Sequence, residues 1–197
     1  MGITNFGTAL LDRYIDKMPV KTVLELGAQN LHHSDYSGLP YASEYYLSRG
    51  FTQYETIDLN GENNAHKLDL GKPINIGQFG LVTDFGTSEH VCVDSSHSIT
   101  AFYNCIKNKH NACMVGGLII SENPKTGNWV EHGHNYYTTE FYKQLCEMND
   151  YELLEVGEHP AMNNTIDGWH IYSVIRKKSD KPFCSFKDFA TLPVLKS

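Results

Sequence analysis

The sequence predicts an α/β protein of three layers, in which a doubly wound, mostly parallel sheet carries helices on both faces and an antiparallel strand at its edge. Two observations predict this class. Short apolar runs rich in β-branched and aromatic residues alternate along the chain with segments of helical spacing. After the last predicted helix, two strands follow each other across a Gly/Pro/Asn-rich connection, which favours an antiparallel pair.

Each predicted element has its own signal in the sequence. The strands are short apolar runs, and they span residues 21–26, 53–59, 79–85, 118–121, 151–156 and 169–174. The helices carry apolar residues three and four positions apart and span residues 6–18, 41–48, 97–109 and 138–148. Asn5 and Thr138 are the expected N-caps, and Gly50 is expected to end the second helix. The polar residues 30–40 predict a long loop.

The composition fits one globular domain. A chain of 197 residues is long enough for a full core, and we expect one domain over residues 1–178 with a C-terminal tail, 179–197, packed on it. The formal net charge of −7 disfavours nucleic acid as a partner. No apolar run reaches the ~20 residues of a membrane span. Five cysteines without a C-x-x-C pair are typical of a cytoplasmic protein, and the oligomeric state stays open.

Polar residues are found where the predicted strands end. Glu25 and Gly27 follow the first strand, Asp58 ends the second, and Asp84 and Glu122 lie at the ends of later strands. In an open α/β sheet, a ligand binds outside the carboxyl ends of the strands, where the strand order reverses. A carboxylate at the end of the second strand can accept both hydroxyl protons of a ribose. The pattern indicates a nucleotide-type cofactor site, although polar residues also resume wherever a strand ends.

Five segments in this order resemble the motifs of class I S-adenosylmethionine-dependent methyltransferases, which have a Rossmann-like fold. They are VLELGAQN (23–30), YETIDLN (54–60), HKLDLGKPI (66–74), FGLVTDFGTSEHV (79–91) and MVGGLIISENP (114–124). The resemblance covers about residues 22–174, and its Glu-His-Val segment is similar to small-molecule methyltransferases. Each motif alone is weak, so the order and spacing carry the resemblance.

The resemblance implies S-adenosylmethionine as the cofactor and a role for each matching residue. It assigns the methionine end to Glu25, Gly27, Ala28 and Gln29, the ribose to Asp58 beside Leu59, the adenine to Asp69 and Leu70, and the floor of the site to Asp84, Phe85 and Gly86. The G-x-G-x-x-G pattern of NAD enzymes is absent, which makes a dehydrogenase the weaker interpretation.

The first motif departs from the family pattern at two positions. Gln29 and Leu31 stand where the family usually has glycines that let the backbone approach the ligand. Either the cofactor is slightly displaced and Gln29 supplies a side-chain hydrogen bond, or the loop no longer binds it. The acidic residues Asp58 and Asp69 favour the first interpretation.

Methyl transfer requires alignment of the acceptor with the methyl group and often a base that removes a proton. His90 is the first candidate base, with Glu89 to orient it, and His134 is a further catalytic candidate. The alternative for His90 is a structural role, in which it caps the following helix or binds a backbone carbonyl.

The segment after the fifth predicted strand is rich in Gly, Asn, His and aromatic residues and predicts a lid or an acceptor-binding wall. Its aromatic residues, Trp129, Tyr136 and Tyr137, either stack on a planar acceptor or pack on the sheet. His132 and His134 alternate, and with Glu122 or His90 they offer ligands for a divalent metal. H-x-H alone is a weak signal, and the same residues suit a loop docked by hydrogen bonds. His159 and His170 are expected at the surface.

The sequence therefore predicts an S-adenosylmethionine-dependent methyltransferase that acts on a small-molecule acceptor. Two other classes stay open. One is a non-catalytic binding or scaffold protein on the same fold with a degenerate cofactor loop. The other is a metal-dependent enzyme centred on His132 and His134.

Overall fold

The computed structural model describes residues 2–32, 41–92, 99–129, 131–160, 168–193 and 195–196. The strands and helices in these ranges are, in chain order, β1 (Gly2–Thr4), α1 (Asn5–Asp12), β2 (Thr22–Leu26), β3 (Asn30–His32), α2 (Ala42–Ser48), β4 (Gln53–Asp58), β5 (His66–Lys67), β6 (Phe79–Phe85), α3 (Ile99–Ala112), β7 (Cys113–Pro124), β8 (Asn135–Tyr136), α4 (Thr139–Asn149), β9 (Tyr151–Pro160), β10 (Trp169–Lys177), α5 (Phe186–Phe189) and β11 (Leu195–Lys196). None of the helices in the described ranges is both long enough and apolar enough to cross a membrane.

Seven of the described strands form one sheet in the order β5-β4-β2-β6-β7-β10-β9. The first five of these run parallel to one another, whereas β10 is antiparallel to both β7 and β9. The strand order reverses between β2 and β6, so the sheet is doubly wound, with antiparallel pairing at one edge. The predicted fold class is confirmed.

Alternate residues of the central strands enter two separate cores. Val23 of β2 and Leu81 of β6 pack in one core with α1 and α2, whereas Leu24 and Val82 pack in the other with α3 and α4. Phe189 of α5 joins the second core, so part of the C-terminal segment is anchored there. Because successive side chains of a strand point to opposite faces, the sheet is the middle of three layers.

Several element bounds differ from the sequence prediction. The first helix ends at Asp12 and is followed by a 3-10 turn, and Thr4 rather than Asn5 accepts the capping hydrogen bond from the Gly7 N–H. Thr138 caps α4 as predicted. The start of the predicted loop forms β3, which pairs in parallel with β1, and residues 33–40 lie outside the described ranges. Pairing partners from elsewhere in the chain decide these bounds, and local sequence does not reveal them.

Candidate functional site

A cavity of about 240 Å³ lies at the carboxyl ends of β2, β4 and β6, beside the point where the strand order reverses. We call it the first cavity. Its lining comes from the ends of these strands and from the loops that follow them: Gly27, Ile57, Asp58, Leu59, Leu68, Asp69, Leu70, Thr87, His90, Val91 and Cys92. Predicted site residues from four separate sequence segments therefore meet around one space. This is the place where an open α/β sheet binds its ligands.

Gly27 forms the turn at the end of β2 and has a left-handed backbone conformation, with φ of 76°. Its N–H donates a hydrogen bond to the Ile57 carbonyl over 2.8 Å, which ties the turn to β4. A side-chain carbon at this position would overlap the Thr87 hydroxyl and lie 2.8 Å from Gln29 Nε2. Only glycine combines this conformation with packing this close.

Both carboxylate oxygens of Asp58 accept backbone hydrogen bonds. Oδ2 accepts from the Ala28 N–H over 3.0 Å, and Oδ1 accepts from the Asn60 N–H over 3.1 Å. The first bond joins the end of β4 to the turn after β2, so the carboxylate is fixed in the cavity wall. Each oxygen keeps acceptor capacity for a ligand hydroxyl. Ala28 itself borders a different cleft, beside Tyr41.

The segment that contains Asp69 and Leu70 is held in place by α3. Asn108 Nδ2 donates to the carbonyls of Leu70 and Lys72 over 3.1 Å and 2.8 Å. The Leu70 side chain is buried and gives the first cavity an apolar wall. Sequence analysis missed Asn108, because a polar residue inside a helical pattern gives no sign of the backbone that it binds.

Gln29 points beneath the turn rather than into the first cavity. The residue is 2% exposed, and its Nε2 donates to the Leu26 carbonyl over 3.3 Å and to Thr87 Oγ1 over 3.1 Å. Gln29 also borders the cleft beside Tyr41, together with Ala28. The amide joins the end of β2 to the turn after β6.

Glu25 is fully buried behind the same turn and does not line the first cavity. One carboxylate oxygen accepts from the Tyr54 hydroxyl over 2.6 Å and from the Gln29 N–H over 3.2 Å, while the other has no hydrogen-bond partner in the described part of the chain. Burial raises the pKa of Glu25 to about 8. Glu25 thus joins the turn after β2 to Tyr54 of β4.

Asp84, expected on the floor of the site, has no exposed surface. Its Oδ2 lies 2.7 Å from Nζ of Lys109, which is also buried, and its Oδ1 accepts from the N–H groups of Ser88 and Thr87 over 3.0 Å and 3.3 Å. Asp84 thus fixes the turn that follows β6 without lining either cavity. Sequence analysis placed Lys109 at a helix end and did not identify this buried ion pair.

A second cavity, of about 220 Å³, adjoins the same turn. It is lined by Gly2, Thr4, Phe85, Gly86, Glu89, Glu122, Asn123, Pro124, Trp129, His132 and His170. Phe85 and Gly86, which were expected on the floor of the cofactor site, border this second cavity. Of the three aromatic residues predicted to stack or pack, Trp129 faces this cavity, whereas Tyr136 and Tyr137 are buried.

Glu89 and His90 stand between the two cavities, since His90 lines the first and Glu89 the second. Glu89 Oε1 lies 3.5 Å from His90 Nε2 and 3.9 Å from His132 Nε2. Burial and the negative charge of Asp84 raise the pKa of Glu89 well above its usual range. Burial and the neighbouring His132 lower the pKa of His90. The two side chains are therefore placed to exchange a proton with a group bound at this wall.

His134 lies close to this pair but lines neither cavity. Its backbone N–H donates to the Glu89 carbonyl over 2.7 Å, so its clearest structural contribution is to dock the loop. Of the histidines and the glutamate predicted to offer metal ligands, His132 and His90 come together, with Glu89 as a third possible ligand. Glu122 belongs to another cluster.

That cluster consists of Glu122, His159 and His170. The side chains of His159 and His170 are 12% and 21% exposed, so the expectation that both lie at the surface is wrong. They are directly opposite each other in the β9–β10 pair. This register depends on the connection between the two strands, which sequence reasoning could not align.

We compared the chain with known protein families, curated proteins and solved structures. No protein-family model matches the chain, and no curated protein matches it in sequence. The N-methyltransferase NodS from Bradyrhizobium japonicum WM9, in complex with S-adenosyl-L-homocysteine, is similar with a TM-score of 0.64 and 14% identity over 89% of each chain.

Two further solved structures are similar. The 1,6-didemethyltoxoflavin-N1-methyltransferase from Burkholderia thailandensis, with bound 1,6-didemethyltoxoflavin and S-adenosylhomocysteine, has a TM-score of 0.61 and 13% identity over 89% of this chain and 78% of that chain. An S-adenosylmethionine-dependent methyltransferase from Clostridium acetobutylicum has a TM-score of 0.54 and 12% identity over 86% and 89%. The chain thus has the fold of class I S-adenosylmethionine-dependent methyltransferases, as its motifs implied.

Proposed function

We propose that this protein is an S-adenosylmethionine-dependent methyltransferase that acts on a small-molecule acceptor. One observation carries the proposal: Gly27, Asp58, Asp69 and Leu70, from separate motifs, line a single cavity at the switch point of a methyltransferase-type sheet. A cofactor with a ribose and an adenine matches this set, because a carboxylate at the end of β4 accepts from ribose hydroxyls and a second carboxylate accepts from an exocyclic amine.

In this proposal the ribose lies against Asp58 and the adenine against Asp69 and Leu70. The methionine end extends along the backbone of the turn at Gly27. Glu25, Gln29 and Asp84 support this arrangement from behind, since all three are buried and bonded to the turns that border the cavity.

The second cavity is the proposed acceptor site. Its volume of about 220 Å³ suits a small molecule, and Trp129 offers a planar face. S-adenosylmethionine held in the first cavity would supply the methyl group that is transferred to the acceptor. Where the acceptor loses a proton, His90 takes it, because a lowered pKa leaves its imidazole neutral at physiological pH.

Calorimetry with S-adenosylmethionine and with S-adenosylhomocysteine tests the proposal. Wild-type protein should bind both, and Asp58→Ala should abolish binding because it removes the ribose acceptor. Asp16→Ala is the matched control, since Asp16 has a 91% exposed side chain before the start of β2. Absence of both heat and thermal stabilisation with either ligand at millimolar concentration would contradict the proposal.

A non-catalytic binding protein is the second candidate function. The observation that favours it is Gln29, whose side chain stands where the family has a glycine. Turnover separates the two candidates. The protein is incubated with radioactive S-adenosylmethionine and a broad panel of small acceptors. If it binds the cofactor but transfers no methyl group to any acceptor, it is a binding protein.

A further inference from the structure

Glu122, His159 and His170 bring one carboxylate and two imidazoles together beside the second cavity, and we propose that they bind a divalent transition-metal ion. His170 Nδ1 lies 2.9 Å, and His159 Nε2 3.3 Å, from Glu122 Oε1, and the three ligand atoms lie within 4.8 Å of one another. With metal–ligand distances of about 2.1 Å, neighbouring ligand atoms are separated by about 3.0–3.4 Å. The observed spacing therefore accommodates an ion with small side-chain movements.

Two buried polar atoms in this cluster have no hydrogen-bond partner among the described residues. They are Glu122 Oε2 and His159 Nε2. Nearly all buried polar atoms in proteins are paired, so the unpaired Glu122 Oε2 needs an explanation. His159 Nε2 lies 3.3 Å from the other carboxylate oxygen, Oε1, without forming a hydrogen bond to it. The Glu122 side chain is 5% exposed, which leaves little access for bulk water. A cation bound by the Glu122 carboxylate and by His159 Nε2 would satisfy both groups.

The hydrogen bonding of His159 also supports a role as a metal ligand. Its Nδ1 lies 2.9 Å from the Pro160 carbonyl, and a ring nitrogen approaches a carbonyl this closely as a donor. In the neutral ring, Nε2 then carries a lone pair, which faces the Glu122 carboxylate. A histidine that ligates a metal commonly donates its other ring N–H to a backbone carbonyl or a carboxylate.

The three side chains are mounted on adjacent strands of the sheet. His159 of β9 and His170 of β10 form a directly opposed pair, and Glu122 of β7 is diagonal to His170, because Tyr172 is the residue opposite it. The rings are also held in place. His159 stacks on Phe6 with a centroid distance of 3.7 Å, and His170 stacks on Trp129 at 5.3 Å. The ligands are thus positioned before any ion binds.

The ligand types select the class of ion. Two imidazoles and one carboxylate suit Zn²⁺, Fe²⁺ and Co²⁺, whereas Mg²⁺ and Ca²⁺ prefer sets made of oxygen atoms. Since Glu122 and His170 line the second cavity, the remaining coordination positions open toward it. Water or an oxygen atom of a bound small molecule would complete the coordination there.

Titration of the full-length protein with metal tests the proposal. The protein is treated with a chelator, dialysed, and titrated with Zn²⁺ by calorimetry and with Co²⁺ by visible absorption. Wild type should bind one equivalent, and His159→Ala and His170→Ala should each weaken binding by about tenfold or more. His66→Ala is the matched control, because it removes an exposed imidazole of β5, which lies at the opposite edge of the sheet from β9. That variant should bind the metal as wild type does.

Two results would overturn the proposal. One is the absence of saturable binding by the wild type, which would leave the cluster a structural role, in which the two imidazoles hold the Glu122 carboxylate in place. The other is metal binding that is kept in His159→Ala but lost in His132→Ala, a variant of the neighbouring Glu89 cluster. Glu122→Gln, which preserves side-chain shape, guards against misfolding of the alanine variants. In that variant, Zn²⁺ should no longer raise the melting temperature. S-adenosylmethionine binding is measured separately, so a protein that binds metal alone contradicts only the proposed function.

Discussion

The side-chain amide of Gln29 and the hydroxyl of Thr87 are joined by a hydrogen bond of 3.1 Å, which links the ends of the two central strands below the first cavity. Thr87 Oγ1 in turn donates to the Leu26 carbonyl over 2.7 Å, so the turns after β2 and β6 share one network. The methyltransferase pattern has a glycine at the position of Gln29. In this chain the Gln29 side chain instead holds the two turns together by hydrogen bonds.

Gln29→Ala should lower the free energy of unfolding by about 1–3 kcal/mol, because a buried hydrogen bond is lost and a void is left. We expect S-adenosylmethionine affinity to fall with it, since the turn loosens. Gln29→Met keeps the side-chain volume but loses the hydrogen bond. Its stability and its affinity should lie between those of the wild type and those of Gln29→Ala. Urea denaturation and calorimetry measure both quantities. A loss of affinity in Gln29→Met without any loss of stability would instead indicate direct contact with the ligand.

Gly27→Ala should destabilise the fold more than Gly127→Ala does. Both glycines have left-handed backbones, with φ of 76° and 81°, but only at Gly27 would a side-chain carbon meet other atoms. The backbone conformation alone costs about 1 kcal/mol, and overpacking against Thr87 and Gln29 should add about 1–3 kcal/mol. Equal melting temperatures for the two variants would show that the turn at Gly27 adapts easily.

The imidazole of His90 should titrate below the usual value of about 6.5, since burial and its histidine neighbours lower its pKa. His132→Ala should raise that pKa, because it removes one of the charges that oppose protonation. NMR of the ring protons, with chelator present and assignment by His90→Gln, measures the shift. His66→Ala, a change at an exposed ring paired with Glu55, should leave the value unchanged. A pKa above 6.5 for wild-type His90 would argue against a neutral base.

Stability should fall as pH rises from about 4.5 to 8, in part because of Glu25. Its pKa is raised from 4.5 to about 8 by burial, so the folded state holds the proton more tightly than the unfolded state. The stabilisation is complete below the unfolded pKa and is lost as pH rises through the folded one. Urea denaturation at several pH values should show a shallower fall for Glu25→Gln. An identical pH dependence in the two proteins would mean that Glu25 is already ionised at neutral pH.

Sequence reasoning predicted the parts of the site that follow from chain direction and strand order. Gly27 and Asp58 lie at the ends of predicted strands, and parallel strands bring their carboxyl ends to one edge, so these two residues were expected to converge. Asp69 was assigned to the site by the family resemblance. Side-chain direction was not predictable. Gln29 and Glu25 lie in the first motif, yet both point inward, because polar partners from β4 and from the turn after β6 draw them there.

Residues brought in by distant elements were also missed. Lys109 resembles any polar residue of a helix until the fold places it 2.7 Å from Asp84. His159 and His170 become neighbours only through the register of β9 and β10, and no local pattern encodes that register. The sequence therefore revealed which residues end strands but not which residues face one another across them.

Asn108 supports the wall of the first cavity through backbone atoms alone. Its Nδ2 donates to the carbonyls of Leu70 and Lys72, and its Oδ1 accepts from the Ile74 N–H over 3.2 Å. Every non-proline residue presents the same backbone groups, so substitutions within 70–74 leave these three bonds available. The position of this loop is therefore buffered, because most substitutions in its own sequence leave the hydrogen bonds to Asn108 in place. Such buffering is one route by which the sequence of this segment can change while the wall of the first cavity keeps its shape.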